Sequence, residues 1–166
     1  MKIVVKTNNT LLIDEFKFKC CIGSSGFAKN KIEGDKKTPR GIFFLDKLYY
    51  RSDRVNKPKT KLKCIKIKRS MGWCDDIRNK KKYNKLISIN NNNSYSFEKL
   101  YRRDFKYDYL ITIKYNWQNP VVPKGSAIFL HLTKNYKSTL GCIALSRKDF
   151  IILASLINKK TKIKIN

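Results

Sequence analysis

The sequence predicts a mainly β, β-sandwich-like domain carrying one or two short helices. Apolar and polar residues alternate in short runs, turn-forming residues punctuate those runs closely, and only one segment has a convincing helix start. At 166 residues the chain is near the usual size of one domain, so 1–166 is read as a single unit. Hydrophobic residues make up 42% of it, enough for one core and too many for a disordered basic tail.

The elements follow in order. Residues 2–6 alternate as a first strand, and the same stretch lacks the apolar centre of a secretory signal. Further strands are predicted at 15–22, 42–45, 62–68, 109–115 and 127–132. Pro39 with Gly41, Pro58, an asparagine run at 90–93, and Pro120 with Pro123 separate them, the asparagine run being an exposed loop. Ser146 and Asp149 form a capping-box-like pair ahead of Phe150, Ile151, Leu153, Leu156 and Ile157, which predicts a helix packed beneath the segment before it. A shorter helix is expected near 96–102, and 161–165 should add a last edge strand. The longest apolar stretch, 150–157, is far short of the ~20 residues of a membrane-spanning helix, so no span is expected.

Charge and cysteine usage narrow the function classes. Lysine and arginine total 38 against 12 acids, a formal charge of +26 that invites a nucleic-acid partner. The lysines alternate with apolar residues along strands, however, which spreads them over solvated faces and implies nonspecific attraction to polyanions. Arg102, Arg103 and Lys106 with Tyr101 and Tyr107 come nearest to a basic-aromatic patch. Five cysteines (Cys20, Cys21, Cys64, Cys74 and Cys142) show no Cys-x-x-Cys pair, and one histidine cannot complete a metal site with them. No metal and no cofactor is expected.

That histidine, His131, ends an apolar run and stands shortly before Gly141-Cys142. A thiol becomes a strong nucleophile beside a base, and imidazole is the usual one. Any Cys–His chemistry must use His131, and Cys142 is the best-placed partner. The plainer alternative is a histidine closing a core strand and an inert buried thiol. Gly141 suits a turn at which backbone N–H groups around Leu140, Gly141 and Cys142 face an oxyanion.

The segment from His131 through Ser138, Thr139, Leu140, Gly141, Cys142 and Ile143 resembles the active-site motif of the L,D-transpeptidases, the YkuD-type catalytic domain. Three other stretches are similar to pieces of that family, in the same order: Glu33-Gly34-Asp35 with Thr38-Pro39 and Gly41; Trp73-Cys74-Asp75-Asp76 with Tyr83-Asn84; and Asn119 to Ser126. The resemblance runs from about residue 20 to 150. It implies a β-sandwich-like catalytic domain that remodels bacterial peptidoglycan, with stem peptides as substrate and Cys142 and His131 as the catalytic pair. It also implies that the second imidazole nitrogen bonds the carbonyl of Leu132. Ser138, Thr139, Trp73, Tyr115 and Asn116 are candidate substrate contacts. A monomer is expected, working in the periplasm or cell wall.

The departures bear on activity. The loop from His131 to Cys142 is short, Leu140 stands where many members carry a second histidine, and Ala144 where many carry Arg or Asn. With the resemblance, three functions stay open: an L,D-transpeptidase acting through a Cys142 thioester, an L,D-carboxypeptidase or endopeptidase on the same fold, or a basic wall- or nucleic-acid-binding protein with a decayed site.

Overall fold

A computed structural model describes residues 1–166. At the start, β1 (Lys2–Lys6), β2 (Thr10–Ile13) and β3 (Phe16–Cys21) form an antiparallel meander. The alternation explains it: Ile3, Val5, Leu11, Ile13, Phe18 and Cys20 enter one core, while Lys17 and Lys19 remain in solvent. Short paired segments β4 (Phe27–Ala28) and β5 (Thr38–Pro39) lead into the long β6 (Gly41–Tyr50), flanked by β7 (Cys64–Lys66). A small sheet then places β8 (Met71–Cys74) between β9 (Leu86–Ser88) and β10 (Phe97–Lys99). Finally β11 (Tyr109–Ile113), β12 (Phe129–Leu132), β13 (Ile143–Leu145) and β14 (Lys162–Ile165) complete the main sheet, with α1 (Arg147–Leu156) between the last two.

The main sheet runs β11-β12-β13-β3-β2-β1-β14-β6-β7 and closes on itself, because β6 also pairs with β11. The first part of β6 pairs with β14 and the second part with β11, so its length lets one strand join both ends. The expected β-sandwich-like architecture is therefore a closed barrel-like sandwich. α1 buries Phe150, Leu153 and Ala154 in the same core as Leu130, Leu132, Ile143 and Leu145. Its N-terminus is capped by Ser146 Oγ, which accepts from Asp149 N at 3.1 Å. A second apolar cluster, with Trp73, Tyr107, Phe129 and Cys142, lies on the other face of β12 and β13 and is covered by the small sheet.

Two expectations are corrected. Residues near 96–102 form no helix: Phe97–Lys99 is β10, drawn into pairing with Cys74, Trp73 and Gly72 of β8. The last strand is no edge either, since β14 lies between β1, to which it is parallel, and β6. In both cases long-range pairing decided what local propensity left open. No helix is long and apolar enough to cross a membrane.

Candidate active site

Parallel pairing of β12 and β13 builds the site. Leu130 pairs with Ile143 and His131 with Ala144, so Cys142, one residue before β13, falls beside Phe129. Strand alternation then turns Phe129, His131, Cys142 and Ala144 to one face, and Leu130, Leu132, Ile143 and Leu145 to the core. Cys142 and His131 thus border one cavity of about 610 Å³. Each is held from behind. Cys142 Sγ donates to Ala127 O at 3.2 Å and accepts from Phe129 N at 3.3 Å. His131 Nδ1 lies 2.8 Å from Leu132 O. A carbonyl only accepts, so Nδ1 carries the proton and Nε2 is left with a free lone pair.

Burial sets the charge state of the resting pair. It pushes the Cys142 thiol up to about 12, with the Glu98 carboxylate adding to the effect. Burial also lowers His131 to about 4, against the opposing bond to Leu132 O. Thiol and imidazole are both neutral at rest, and the thiol bonds Ala127 O, not the imidazole. A proton could pass from this thiol to the imidazole only once the thiol had left Ala127 O. Tyr107 packs its ring against His131 edge to face at 5.2 Å and donates its hydroxyl to Glu98. Arg102 stands over that Tyr107 ring and pairs with Glu98 at 3.6 Å.

The turn before Cys142 is shaped by Gly141 at φ 136°, where a Cβ would meet Lys37 O at 2.9 Å. Thr139 Oγ1 donates to Cys142 O at 2.6 Å and accepts from Gly141 N at 3.1 Å. Gly141 N is thereby occupied, whereas the N–H groups of Leu140 and Cys142 have no partner within the protein. Ser138, Thr139 and Leu140 all border the cavity, with the Leu140 side chain 77% exposed at its lip. Ala144 is buried beside His131, so the small side chain leaves the floor of the cavity open.

Trp73, Tyr115 and Asn116 do not border the cavity, and this corrects their placement as groove residues. Trp73 is buried against Phe129 and Trp117, with Nε1 donating to Asn84 Oδ1 at 2.9 Å. Tyr115 packs against Phe43 and donates its hydroxyl to Lys124 O. Asn116 ties the 116–125 loop together through Val121 and Gly125. Their polar atoms are satisfied within the protein, by the Asn84 side chain for Trp73 and by backbone groups for Tyr115 and Asn116.

Other residues gain importance. Asn84 Oδ1 also accepts from Ala127 N, and its amide donates to Tyr115 O and Asn116 O, so one side chain fixes the backbone that holds the thiol. Lys31, buried and paired with Asp35 at 2.5 Å, borders the cavity. Asp35 also accepts from Ile32 N and Lys37 N, so the Glu33-Gly34-Asp35 segment is a braced turn. Tyr107 and Glu98 carried no sequence signal beyond a basic-aromatic patch, because β10 brings Glu98 to the site only through its pairing with β8.

No group of three or more His, Cys, Asp or Glu side chains is placed to hold a metal ion, and all five cysteines are free thiols. A sequence comparison with curated proteins finds no match. Among solved structures, an L,D-transpeptidase from Mycobacterium smegmatis is similar, at a TM-score of 0.44 and 11% identity. That likeness covers 99% of this chain and 58% of the other, so this chain spans little more than half its length. The L,D-transpeptidase catalytic domain family, YkuD, matches residues 2–165, nearly the whole chain, and the protein belongs to that family.

Proposed function

We propose that the protein is a cysteine acyltransferase that forms or exchanges peptide cross-links in peptidoglycan, with Cys142 as nucleophile and His131 as base. The observation that carries this reading is the shared face of β12 and β13, which sets thiol and imidazole in one cavity with Nε2 unoccupied. Nε2 takes the Cys142 proton as the sulfur attacks a peptide carbonyl of the donor stem. The tetrahedral oxyanion is met by the unpartnered N–H groups of Leu140 and Cys142, and Thr139 holds that turn in shape. His131 then protonates the leaving amine, and an acceptor amine resolves the thioester. Water in its place makes the protein an L,D-carboxypeptidase or endopeptidase, and the product mass distinguishes these fates.

The surface charge fits this substrate. Lys134 and Lys137 border the cavity from the loop between His131 and Cys142, with Lys31, Lys36 and Lys106 on its other sides. They can draw in the carboxylates of a stem peptide. One chain supplies both reacting residues, so a monomer suffices, at work in the periplasm or cell wall. A carbapenem, expected from the family to acylate its cysteine, tests the nucleophile. Intact-mass measurement should show one adduct on wild type and none on Cys142→Ala. An adduct that persists in the variant, or forms on Cys64 or Cys74, would defeat the assignment.

A further inference from the structure

Where the small sheet borders the cavity, two carboxylates have oxygens left unpaired. Asp75 follows β8, and Glu98 lies opposite Trp73 in the antiparallel β8–β10 pair. Side chains two apart on a strand share a face, so Asp75, Trp73 and Glu98 point the same way. Both carboxylates border the cavity that holds Cys142 and His131. Glu98 Oε1 is taken by Tyr107 and Arg102, while Oε2 has no hydrogen bond.

Asp75 is the more telling. The chain has 38 lysines and arginines against 12 acids, and yet Asp75 forms no ion pair. Its Oδ1 is shielded from solvent and has no hydrogen-bond partner. Its neighbour Asp76, by contrast, is held by Arg78 and Ser96 N. Independently, Ser126 Oγ is buried without a partner, in a residue 5% exposed that borders the same cavity. Buried polar atoms are nearly always satisfied, and an unpaired carboxylate in a cleft wall is costly. A group with several N–H donors and a positive charge supplies what all three lack, and a primary ammonium has three donors and no acceptor.

We propose that Asp75, Glu98 and Ser126 form a subsite for a primary ammonium group carried by the substrate, in the same cleft as Cys142. It rests on the reading of that cleft as an acyl-transfer site and deepens it: the lysines take carboxylates, and the acidic wall selects a basic side chain. The ammonium recognised here is a bystander. It stays protonated between the carboxylates and is distinct from any amine that attacks the thioester.

Equilibrium binding to Cys142→Ala, which cannot turn over, tests the subsite apart from the chemistry. The probes are a synthetic donor tetrapeptide with a free lysine amine at its third position, the same peptide acetylated on that amine, and a matched pair of acceptor peptides. Acetylation should weaken binding by about tenfold or more in at least one pair. Adding Asp75→Asn should shrink that gap to about twofold or less, and Glu98→Gln should narrow it in the same direction. The pair that responds identifies whether the ammonium belongs to donor or acceptor. Equal affinities within both pairs, or a gap that survives both substitutions, would overturn the subsite. A wild-type protein that shows the preference but never forms a thioester would instead refute acyl transfer alone.

Discussion

On one face of β12 and β13, Leu130, Leu132, Ile143 and Leu145 are sealed against α1 and the barrel core, with no polar side-chain atom to satisfy. On the other, Phe129, His131, Cys142 and Ala144 meet a cavity bordered by lysines, three carboxylates and a tyrosine. The same two strands serve both faces, one residue apart in register. The core face gains from apolar burial, which is indifferent to direction. The cavity face depends on hydrogen-bond geometry and on titrating groups held away from water, so its groups have shifted pKa values and unpaired atoms. A change on the first face should therefore register as stability, and a change on the second as activity.

The largest test of that division is His131→Ala. Losing the base should lower Cys142 acylation by a donor peptide about 10²–10⁴-fold, with folding retained. Single-turnover mass measurement checks it, and an unchanged rate would make His131 structural. Leu11→Ala probes the other side. Leu11 is fully buried in the core, and its truncation should cost about 2–5 kcal/mol in denaturant unfolding. The acylation rate per folded molecule should stay near wild type; a comparable loss of rate would join the two faces into one unit.

A third test uses pH. His131 is lowered from 6.5 to about 4 by burial, so the unfolded chain binds its proton first as pH falls. Stability linked to this histidine is complete above pH 6.5 and lost progressively down to pH 4, by about 3 kcal/mol in all. Wild type should therefore show a steeper acid loss than His131→Ala in urea titrations across that range. Parallel curves would mean that the imidazole is solvated. The smallest effect concerns the lysines outside the cleft. Binding to any polyanion should fall steeply with salt and ignore nucleotide sequence, while peptide turnover should fall far less. Tight, sequence-selective nucleic-acid binding at physiological salt, without turnover, would reverse the functional reading.

Much of the candidate site was legible because the residues it brings together lie close in sequence. His131, Thr139, Gly141 and Cys142 fall within one strand-loop-strand unit, and parallel pairing of its two strands sets them on one face with little help from elsewhere. The groove residues were harder. Tyr115 and Asn116 adjoin a strand end, and nothing local says whether a side chain there turns to the cleft or back to the 116–125 loop. A tryptophan suits core or groove equally by residue type, and at Trp73 the buried bond from its indole N–H to Asn84, eleven residues on, favours the core.

By itself, then, the order of residues determined the mainly β class, the capped helix at Arg147–Leu156, the dispersal of lysines over outward faces, and the choice of Cys142 and His131 as the candidate pair. Each follows from a period of two, a cap, or a motif within a few residues. Only the tertiary structure decided that β14 is interior, that Phe97–Lys99 is strand, that thiol and imidazole rest uncharged, and that Asp75 and Glu98 stand in the same cavity. Those outcomes depend on strand partners far away in the chain and on how much water each group loses. Periodicity carries neither, because alternation specifies which face a residue takes but not what that face will meet.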